Sequence, residues 1–285
     1  MKHFMQLSSI QKSVLVASII ADGEITKIYK NSRRKNHSYR EHYGSQQEEY
    51  RVWKSSFFNG LLYLTRKSNT LRSKSSPLFT ELYPYFYSVN GTKKIPFELI
   101  DQCTHFYFLA ILYLDDGSLC ITKRINHNTK KIYLLPTIAF YLQCYTKEEL
   151  ILLKQFLSEH HDLDLYLNKR KDGNGYILKL SKEIEVTSFL SRVHSHTVDC
   201  KSMQYKTNWE HRVKLESIKL KKEYPGYETL SSNSKRHRNY SDSEINAMLE
   251  MKRNQFTDKD IAAALNRTYW SIVYKFQELR KNGSL

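Results

Sequence analysis

Residues 15–23, LVASIIADG, have a counterpart later in the chain at residues 109–117, LAILYLDDG. Both runs are apolar over more than the usual length of a strand, and both end at an Asp-Gly pair. Because glycine commonly follows the last residue of a helix, the two runs are predicted to be helices that end at Asp22 and Asp116. Ser8 precedes the first run and provides a capping side chain.

The chain is predicted to contain an internal duplication. The two Asp-Gly pairs, at positions 22 and 116, lie 94 residues apart, and residues 43–57 match residues 143–157 in pattern. Four segments of the second half have the alternation of strands and pair as two hairpins, at residues 118–124, 131–143, 164–171 and 176–180. Each copy therefore reads as helix, hairpin, helix, hairpin, helix.

Composition restricts the class of protein. Lys and Arg number 45 against 29 Asp and Glu, so the formal net charge is +16, and a polyanionic partner such as nucleic acid is expected. The four cysteines form no CxxC pair, which argues against a disulfide scaffold or a structural zinc site. No apolar run reaches the roughly 18 residues of a membrane span. We expect an intracellular protein, in the cytoplasm, the nucleoid or an organelle matrix, that is not secreted.

The paired acidic residues predict a metal site. Small residues such as Ala17 and Ala110 would let the two helices pack closely, which would bring Asp22 and Asp116 together at one end. Two carboxylates in one polar cleft repel each other unless hard divalent cations join them. Such cations support hydrolysis of phosphodiesters. Asp115 should point roughly 100° away around its helix, which suggests a supporting role.

The two runs resemble the signature helices of LAGLIDADG homing endonucleases. The stretches KKIP at residues 93–96 and SMQYK at residues 202–206 strengthen the likeness, which covers roughly residues 7–208. The chain is most similar to the single-chain, two-repeat branch encoded in introns. The resemblance implies an α+β fold of two pseudo-symmetric αββαββα repeats with saddle-shaped antiparallel sheets that lie in the major groove of DNA.

The resemblance also implies a set of catalytic residues that cut both DNA strands with Mg²⁺ or Mn²⁺. Two acids would bind the metal, two lysines would lie near the scissile phosphates, and one polar residue would order water. Carried over by motif, these residues are Asp22, Asp116, Lys93, Lys206 and Gln143.

Some positions depart from the family pattern. Ile111 and Tyr113 are bulkier than the signature usually allows, so the helix interface must be repacked. Tyr43 stands where the first repeat would match Gln143, which predicts two half-sites that act unequally. Lys94 is an alternative to Lys93 in the alignment.

Basic residues in the predicted hairpins are expected to contact the DNA backbone, since such charges provide salt-dependent phosphate affinity. They are Lys27, Lys30, Arg33, Arg34, Lys123, Arg124, Lys169 and Arg170.

The predicted domains are a first repeat at residues 1–95 and a second at 96–209, then a basic, partly helical linker at 210–238 and a small all-α module at 239–285. The last module resembles Myb/SANT-like helix-turn-helix units, with capping boxes that begin at Ser241 and Thr257. The start of its third helix would contact DNA. The residues concerned are Arg267, Thr268, Tyr269, Ser271 and Lys275.

The sequence therefore predicts a monomeric, site-specific endonuclease that acts on double-stranded DNA. The alternative is an RNA-splicing maturase that binds intron RNA, or a DNA-binding regulator on the same scaffold that does not cleave. Motifs typical of nucleotide-binding and common hydrolytic enzymes, such as GxGxxG, GxSxG and HExxH, do not occur in the sequence.

Overall fold

The computed structural model describes residues 1–231 and 240–281. The chain divides into two compact units, with the boundary between residues 232 and 233. Residues 232–238 of the predicted linker, and residues 239 and 282–285 of the predicted module, lie outside the described residues. No helix in the described ranges is long and apolar enough to cross a bilayer.

The first repeat consists of a four-stranded antiparallel sheet and the helices around it. Its strands are β1 (Glu24–Thr26), β2 (Ser38–His42), β3 (Leu62–Thr65) and β4 (Thr70–Ser73), in the order β1-β2-β4-β3. Its helices are α1 (Lys2–Met5), α2 (Ser9–Ile20), α3 (Glu48–Ser56) and α4 (Pro77–Phe86).

The second repeat has the same order of elements. Its strands are β5 (Gly117–Asn126), β6 (Lys131–Phe140), β7 (Tyr166–Lys169) and β8 (Tyr176–Leu180), in the order β5-β6-β8-β7. Its helices are α5 (Phe97–Ile100), α6 (Tyr107–Asp116), α7 (Lys147–His161), α8 (Glu183–His196) and α9 (Gln204–Thr207). The predicted αββαββα duplication in an α+β fold is confirmed.

Helices α2 and α6 pack against each other in the core. Residues 13–20 of α2 and 108–114 of α6 are all buried, because both helices are apolar on every side. The Ser8 hydroxyl caps α2 by accepting a hydrogen bond from the backbone N–H of Gln11, as predicted. The side chains around these two helices form one continuous core that includes residues of both repeats.

The glycine after each signature helix is required by close packing. A Cβ on Gly23 would lie 2.5 Å from the Tyr39 hydroxyl oxygen and 2.7 Å from the carbonyl oxygen of Ser18. A Cβ on Gly117 would lie 2.1 Å from the ring of Tyr113. The backbone can therefore turn from helix into strand directly after each acidic residue only where no side chain follows it.

The bulky Tyr113 packs within its own repeat. Its ring makes edge contacts with Phe140 and Phe189, and its hydroxyl donates a 2.8 Å hydrogen bond to the backbone carbonyl of Lys206. Both Ile111 and Tyr113 are fully buried. The bulky Tyr113 side chain thus packs in the core of the second repeat, and its hydroxyl holds the backbone of the segment that carries Lys206.

Residues that directly follow the second repeat are folded, which corrects the prediction of a linker at residues 210–238. Helix α10 (Trp209–Glu223) places Leu220 against Ile132 and Leu134 of β6. Strand β9 (Glu228–Ser231) then pairs with β6 in parallel. This segment buries the apolar face of the long β5–β6 hairpin, which would otherwise be exposed to solvent.

Within residues 240–281, the second unit has three helices, α11 (Asp242–Arg253), α12 (Asp258–Ala264) and α13 (Tyr269–Lys281). The capping boxes at Ser241 and Thr257 are both present. The helices share a small core of their own, formed by Met248, Ile261, Ala262, Ile272, Phe276 and Leu279.

Candidate active site

The two acidic residues lie at corresponding helix ends. Asp22 follows α2 after one residue, and Asp116 is the last residue of α6. The Asp22 carboxylate is 34% exposed. Because α2 and α6 pack side by side, the two carboxylates lie at the same end of the pair, close enough for Asp22 to raise the pKa of Asp116.

Asp116 is held in an unfavourable electrostatic environment. Burial, followed by repulsion from Asp22 and Asp115, raises the pKa of Asp116 to about 7, although Lys93 and Lys206 act in the opposite direction. Within residues 1–231 and 240–281, the Asp116 carboxylate has no hydrogen bond or ion pair of its own. A bound cation would relieve the repulsion.

Asp22 has a direct cationic partner. The Nη2 of Arg51 donates a 2.9 Å hydrogen bond to Oδ2 of Asp22, and the Arg51 side chain is only 1% exposed. Burial raises the pKa of Asp22, and Asp115 adds to this, while Arg51 opposes the shift. The two acids of the pair therefore differ in their surroundings.

Arg51 belongs to a buried cluster of opposite charges. Its Nε lies 2.8 Å from Oε1 of Glu41, and its Nη1 lies 3.2 Å from Oδ1 of Asp115. The Lys54 ammonium bridges the same two acids at 2.8 and 2.7 Å. Burial alone would raise the pKa of Asp115, but Lys54 and Arg51 more than offset this and lower it. Asp115 was predicted to have a supporting role, and its contacts hold Arg51 and Lys54 in place.

Oxygen atoms of Asp22, Glu41 and Asp115 lie within 4.8 Å of one another, a separation that a metal ion could bridge. Glu41 and Asp115 are fully buried, however, and Arg51 and Lys54 already balance their charge. Two cations therefore face three acids, and Asp22, the partly exposed acid, keeps an oxygen, Oδ1, that Arg51 does not contact.

Two lysines, Lys93 half-buried and Lys206 buried, lie at the ends of the signature helices. The ammonium of Lys93 donates to the carbonyls of Ala21 and Gly23 at 2.8 and 3.0 Å. That of Lys206 donates to the carbonyls of Leu114 and Asp115 at 2.6 and 3.1 Å. Burial lowers the pKa of both lysines. Lys93, and not its neighbour Lys94, reaches the helix end.

A glutamate from the opposite repeat holds each lysine-bearing segment. Glu149 of α7 accepts a 2.9 Å hydrogen bond from the backbone N–H of Ile95, close to Lys93. Glu49 of α3 accepts from the backbone N–H groups of Lys201 and Ser202, at 3.2 and 2.9 Å. Each half of the site is therefore assembled from both repeats.

Gln143, the residue predicted to order water, does not take part in this network. It is exposed in the turn after β6, and its side chain forms no hydrogen bond within the described ranges. Tyr43 is buried, and its hydroxyl is without a partner there. Cys144, one of the four scattered cysteines, was not predicted to belong to the site; burial raises the pKa of its thiol, Lys93 lowers it and Asp116 raises it.

The face of the first sheet opposite the helices is polar and basic. A concavity of about 430 Å³ is lined by Lys27, Arg34, Arg40 and Arg72 among others. Arg34 is fixed there by hydrogen bonds to the hydroxyls of Thr26 and Ser38, both at 3.0 Å. The predicted Lys30 and Arg33 are exposed in the loop between β1 and β2. Arg40 and Arg72 were not predicted, and only strand register reveals that they share a face.

In the second sheet the predicted basic residues fall on different faces. Lys123 projects to the side covered by α10, where its ammonium lies 2.6 Å from Glu216, so its assignment to DNA is not supported by its position. Side chains of a strand alternate between faces, which places the neighbouring Arg124 on the opposite side. Lys169 is exposed at the β7–β8 turn, and Arg170 pairs there with Asp172.

Four of the five residues predicted to contact DNA in the second unit form hydrogen bonds or ion pairs within the unit. Arg267 forms a salt bridge with Glu244 at 2.9 Å, the hydroxyls of Ser271 and Tyr240 share a hydrogen bond, and Lys275 pairs with Glu278. The Thr268 hydroxyl accepts a 3.2 Å hydrogen bond from the backbone N–H of Ser271. Thr268 and Tyr269 are exposed. The exposed face of α13 instead presents a row of aromatic side chains, namely Tyr269, Trp270 and Tyr274.

Comparisons with known proteins agree with this geometry. Residues 12–189 match the model of the LAGLIDADG DNA endonuclease family. A structure of the homing endonuclease I-WcaI bound to its DNA recognition sequence has a TM-score of 0.53 and 20% identity, covering 70% of this chain and 87% of that one. I-SmaMI bound to an uncleaved DNA target in the presence of calcium ions has a TM-score of 0.45 and 14% identity, covering 76% and 99%. No curated protein matches the chain in sequence.

The fold and the paired signature helices thus define an α+β scaffold of two repeats in one chain. The family match covers more than half of the sequence, and the chain belongs to the LAGLIDADG DNA endonuclease family. The protein is accordingly a DNA endonuclease, a hydrolase of phosphodiester bonds, and the resemblance seen in the sequence is confirmed. The match ends before the second unit, which it leaves uncharacterised.

Proposed function

We propose that the protein is a homing endonuclease that hydrolyses one phosphodiester in each strand of a specific double-stranded DNA site, and that Asp22 and Asp116 hold the divalent cations it requires. One observation carries the proposal. The two carboxylates converge at the ends of packed signature helices whose terminal carbonyls bind the buried ammonium groups of Lys93 and Lys206.

The residues present fit a hard divalent cation. Asp116 lacks a cationic partner within the described ranges, and its pKa is raised to about 7 by burial and by the neighbouring acids. Asp22 keeps one oxygen, Oδ1, that Arg51 does not contact. Carboxylate oxygens are the ligands that Mg²⁺ and Mn²⁺ prefer. Bound here, such ions would supply activation of water and stabilisation of the leaving oxygen.

The chain's own residues supply charge and position. The ammonium groups of Lys93 and Lys206 are fixed by helix carbonyls, so they can offset the negative charge of a phosphate without moving. The glutamates Glu49 and Glu149 keep the two lysine segments in place from the opposite repeat. Gln143, on an exposed turn at the end of β6, is proposed to order water from the rim of the site once DNA is bound.

The polar sheet faces are proposed to bind the DNA. Arg34, Arg40 and Arg72 line the concave face of the first sheet, and Arg124 and Lys169 are exposed cations of the second. A two-stranded ribbon fits the major groove, where base edges can be distinguished. Lys27, Lys30 and Arg33 then extend the phosphate contacts of the first half-site.

The second unit is proposed to add a weaker DNA contact through α13. Four exposed residues lie at the start of α13 or along it, namely Thr268, Tyr269, Trp270 and Tyr274. Arg267, in contrast, is bound to Glu244. The stretch 240–281 has seven Lys or Arg against six Asp or Glu, so it contributes little of the chain's excess charge.

The proposal is tested with a randomised duplex library in Mg²⁺, using wild type beside the double variant Asp22→Asn/Asp116→Asn. Discrete staggered breaks from wild type alone are expected, and the sequenced ends would give the target. Binding without breaks by both proteins would overturn the proposal in favour of a non-cleaving binder. Breaks from both would show that the two acids do not perform the reaction.

A further inference from the structure

We propose that Arg51 is a positioning residue that makes Asp22 a weaker ligand for a divalent cation than Asp116, so that the two halves of the site fill in order. The inference rests on the proposed function, since it concerns the two acids that would hold the cations.

Arg51 cannot easily move away from Asp22. Its side chain is 1% exposed, and carboxylates of Glu41 and Asp115 hold its guanidinium at 2.8 and 3.2 Å while Nη2 donates to Asp22. The centre of the guanidinium also lies 4.6 Å from the Tyr50 ring. A buried guanidinium bound on several sides has no alternative position that keeps its charge balanced.

The fixed guanidinium restricts how Asp22 can bind a cation. Oδ2 accepts the 2.9 Å hydrogen bond from Arg51, which leaves Oδ1 as the oxygen open to another ligand. A divalent ion at Oδ1 would lie a few ångströms from a positive charge that stays in place, and the repulsion lowers the affinity of the site.

Asp116 has no such neighbour. Where α3 buries Tyr50, Arg51 and Lys54, helix α7 of the second repeat buries leucines and contributes no arginine or lysine to the core. The ammonium groups of Lys93 and Lys206 act on Asp116 from a distance, but neither forms an ion pair with it in the described part of the chain. A cation can therefore approach both oxygens of Asp116.

The first experiment measures Ca²⁺ binding to the full-length protein by calorimetry, without DNA. In the Asp116→Asn background only Asp22 remains, and adding Arg51→Lys keeps the charge of the cluster while shortening its reach to Asp22. We expect Ca²⁺ to bind roughly three-fold more tightly, which is the size expected when a unit charge moves from about 4 to about 6 Å from a divalent ion at the dielectric constant of water. Unchanged or weaker binding would overturn the inference.

Two controls separate this effect from a general disturbance of the cluster. Lys54→Arg alters the same cluster, but Lys54 makes no hydrogen bond to Asp22, so the Asp116→Asn/Lys54→Arg protein should bind Ca²⁺ as Asp116→Asn does. Arg51→Lys in the Asp22→Asn background should also leave Ca²⁺ binding unchanged. Thermal unfolding of each variant verifies that it is folded. If Arg51→Lys does not fold, Arg51→Gln, which removes the charge but keeps an amide donor, is titrated in its place.

The same titrations distinguish failure of the inference from failure of the proposed function. If Asp22→Asn/Asp116→Asn binds Ca²⁺ as wild type does, the two acids are not the cation ligands and the proposed function itself is wrong. If binding depends on both acids but does not respond to Arg51→Lys, only the inference fails.

Discussion

The two repeats have the same order of elements and the same Asp-Gly ends, yet their helix ends differ in chemistry. At the first, Arg51 and Lys54 form a buried cluster with Glu41 and Asp115, and Arg51 reaches Asp22. At the second, Asp116 has no ion pair within residues 1–231 and 240–281. Two copies of the same backbone can thus place one acid in a hydrogen bond to an arginine and leave the other without an ion pair in the described residues.

A single residue accounts for much of the difference. The first signature has Ala21 before its acidic residue, whereas the second has Asp115 at the same place. Asp115 is fully buried among residues of the first repeat, where it accepts hydrogen bonds from the Tyr50 hydroxyl at 2.8 Å and from Lys54. The buried ion pairs of the first repeat therefore depend on an acid that belongs to the second repeat.

The largest effect is expected from Asp115→Asn, which removes that acid. Breaking a buried pair leaves charges without balance, so the free energy of unfolding should fall by about 3–5 kcal/mol. Urea denaturation at neutral pH measures it. Asp164→Asn is the matched control, because Asp164 is 69% exposed and should change stability by less than about 0.5 kcal/mol. Equal losses from both variants would remove the basis of the comparison.

The next effect is expected from Asp116→Asn without metal, and it should be stabilising. The folded pKa of Asp116, about 7, exceeds its usual value of 3.8, so the folded state holds this proton more tightly than the unfolded state does. Ionisation therefore destabilises the fold progressively from about pH 4 to pH 7. At pH 8 the variant should gain about 2–4 kcal/mol, and below pH 3 nothing.

Asp22→Asn is the control for that measurement. It also removes a charge, but it breaks the hydrogen bond from Arg51, so its gain at pH 8 should be smaller than that of Asp116→Asn. A larger gain at Asp22 would reverse the comparison. Thermal melts across the pH range, in the presence of a chelator, separate these outcomes.

A smaller effect is expected from two tyrosines whose hydroxyls donate hydrogen bonds to backbone carbonyls near the ends of the signature helices. Tyr113 donates to the carbonyl of Lys206, and Tyr145 donates to the carbonyl of Ile20 at 2.5 Å. Each Tyr→Phe change should cost about 1–2 kcal/mol, because a buried carbonyl loses its donor. Only Tyr113→Phe should also slow cleavage, since it loosens the segment that carries Lys206. Equal cleavage rates for the two variants would argue against that role.

The smallest effect is expected from removal of residues 240–285. Of the basic residues in 240–281, Lys252, Arg267 and Lys275 are already paired with carboxylates. Four basic residues of the stretch remain, so the slope of log K against log salt for DNA binding should fall by no more than about 3.6, at about 0.9 per phosphate contact. Fluorescence anisotropy at several salt concentrations measures it. A larger change would show that this unit, rather than the sheets, dominates the electrostatic contact.

Much of the fold could be predicted from the sequence because each signature run contains both the apolar stretch of a helix and the Asp-Gly pair that ends it. Apolar length and the terminal Asp-Gly locate α2 and α6, and the position of Asp22 and Asp116 follows from their packing. The lysines were found through the family resemblance, since nothing in composition separates Lys93 from Lys94. That choice depends on which ammonium reaches the carbonyl of Ala21.

Other parts of the site depend on tertiary packing. Arg51 is 29 positions from Asp22, and no local pattern indicates that α3 would turn it inward. The position of Lys123 depends on strand register, in which a shift of one residue exchanges the two faces. Strand β9 is four residues long and lacks a strong alternation, so its pairing with β6 gave little signal.

The burial of Asp115 has a consequence for recombination between related nucleases. In sequence it belongs to the second repeat, but in space it completes the charge balance of the first. A chimera that joins this first repeat to a relative's second repeat with alanine at that position would inherit Arg51 and Lys54 without one of their counterions. Exchange of halves should succeed only when Glu41, Arg51, Lys54 and Asp115 are transferred as one group.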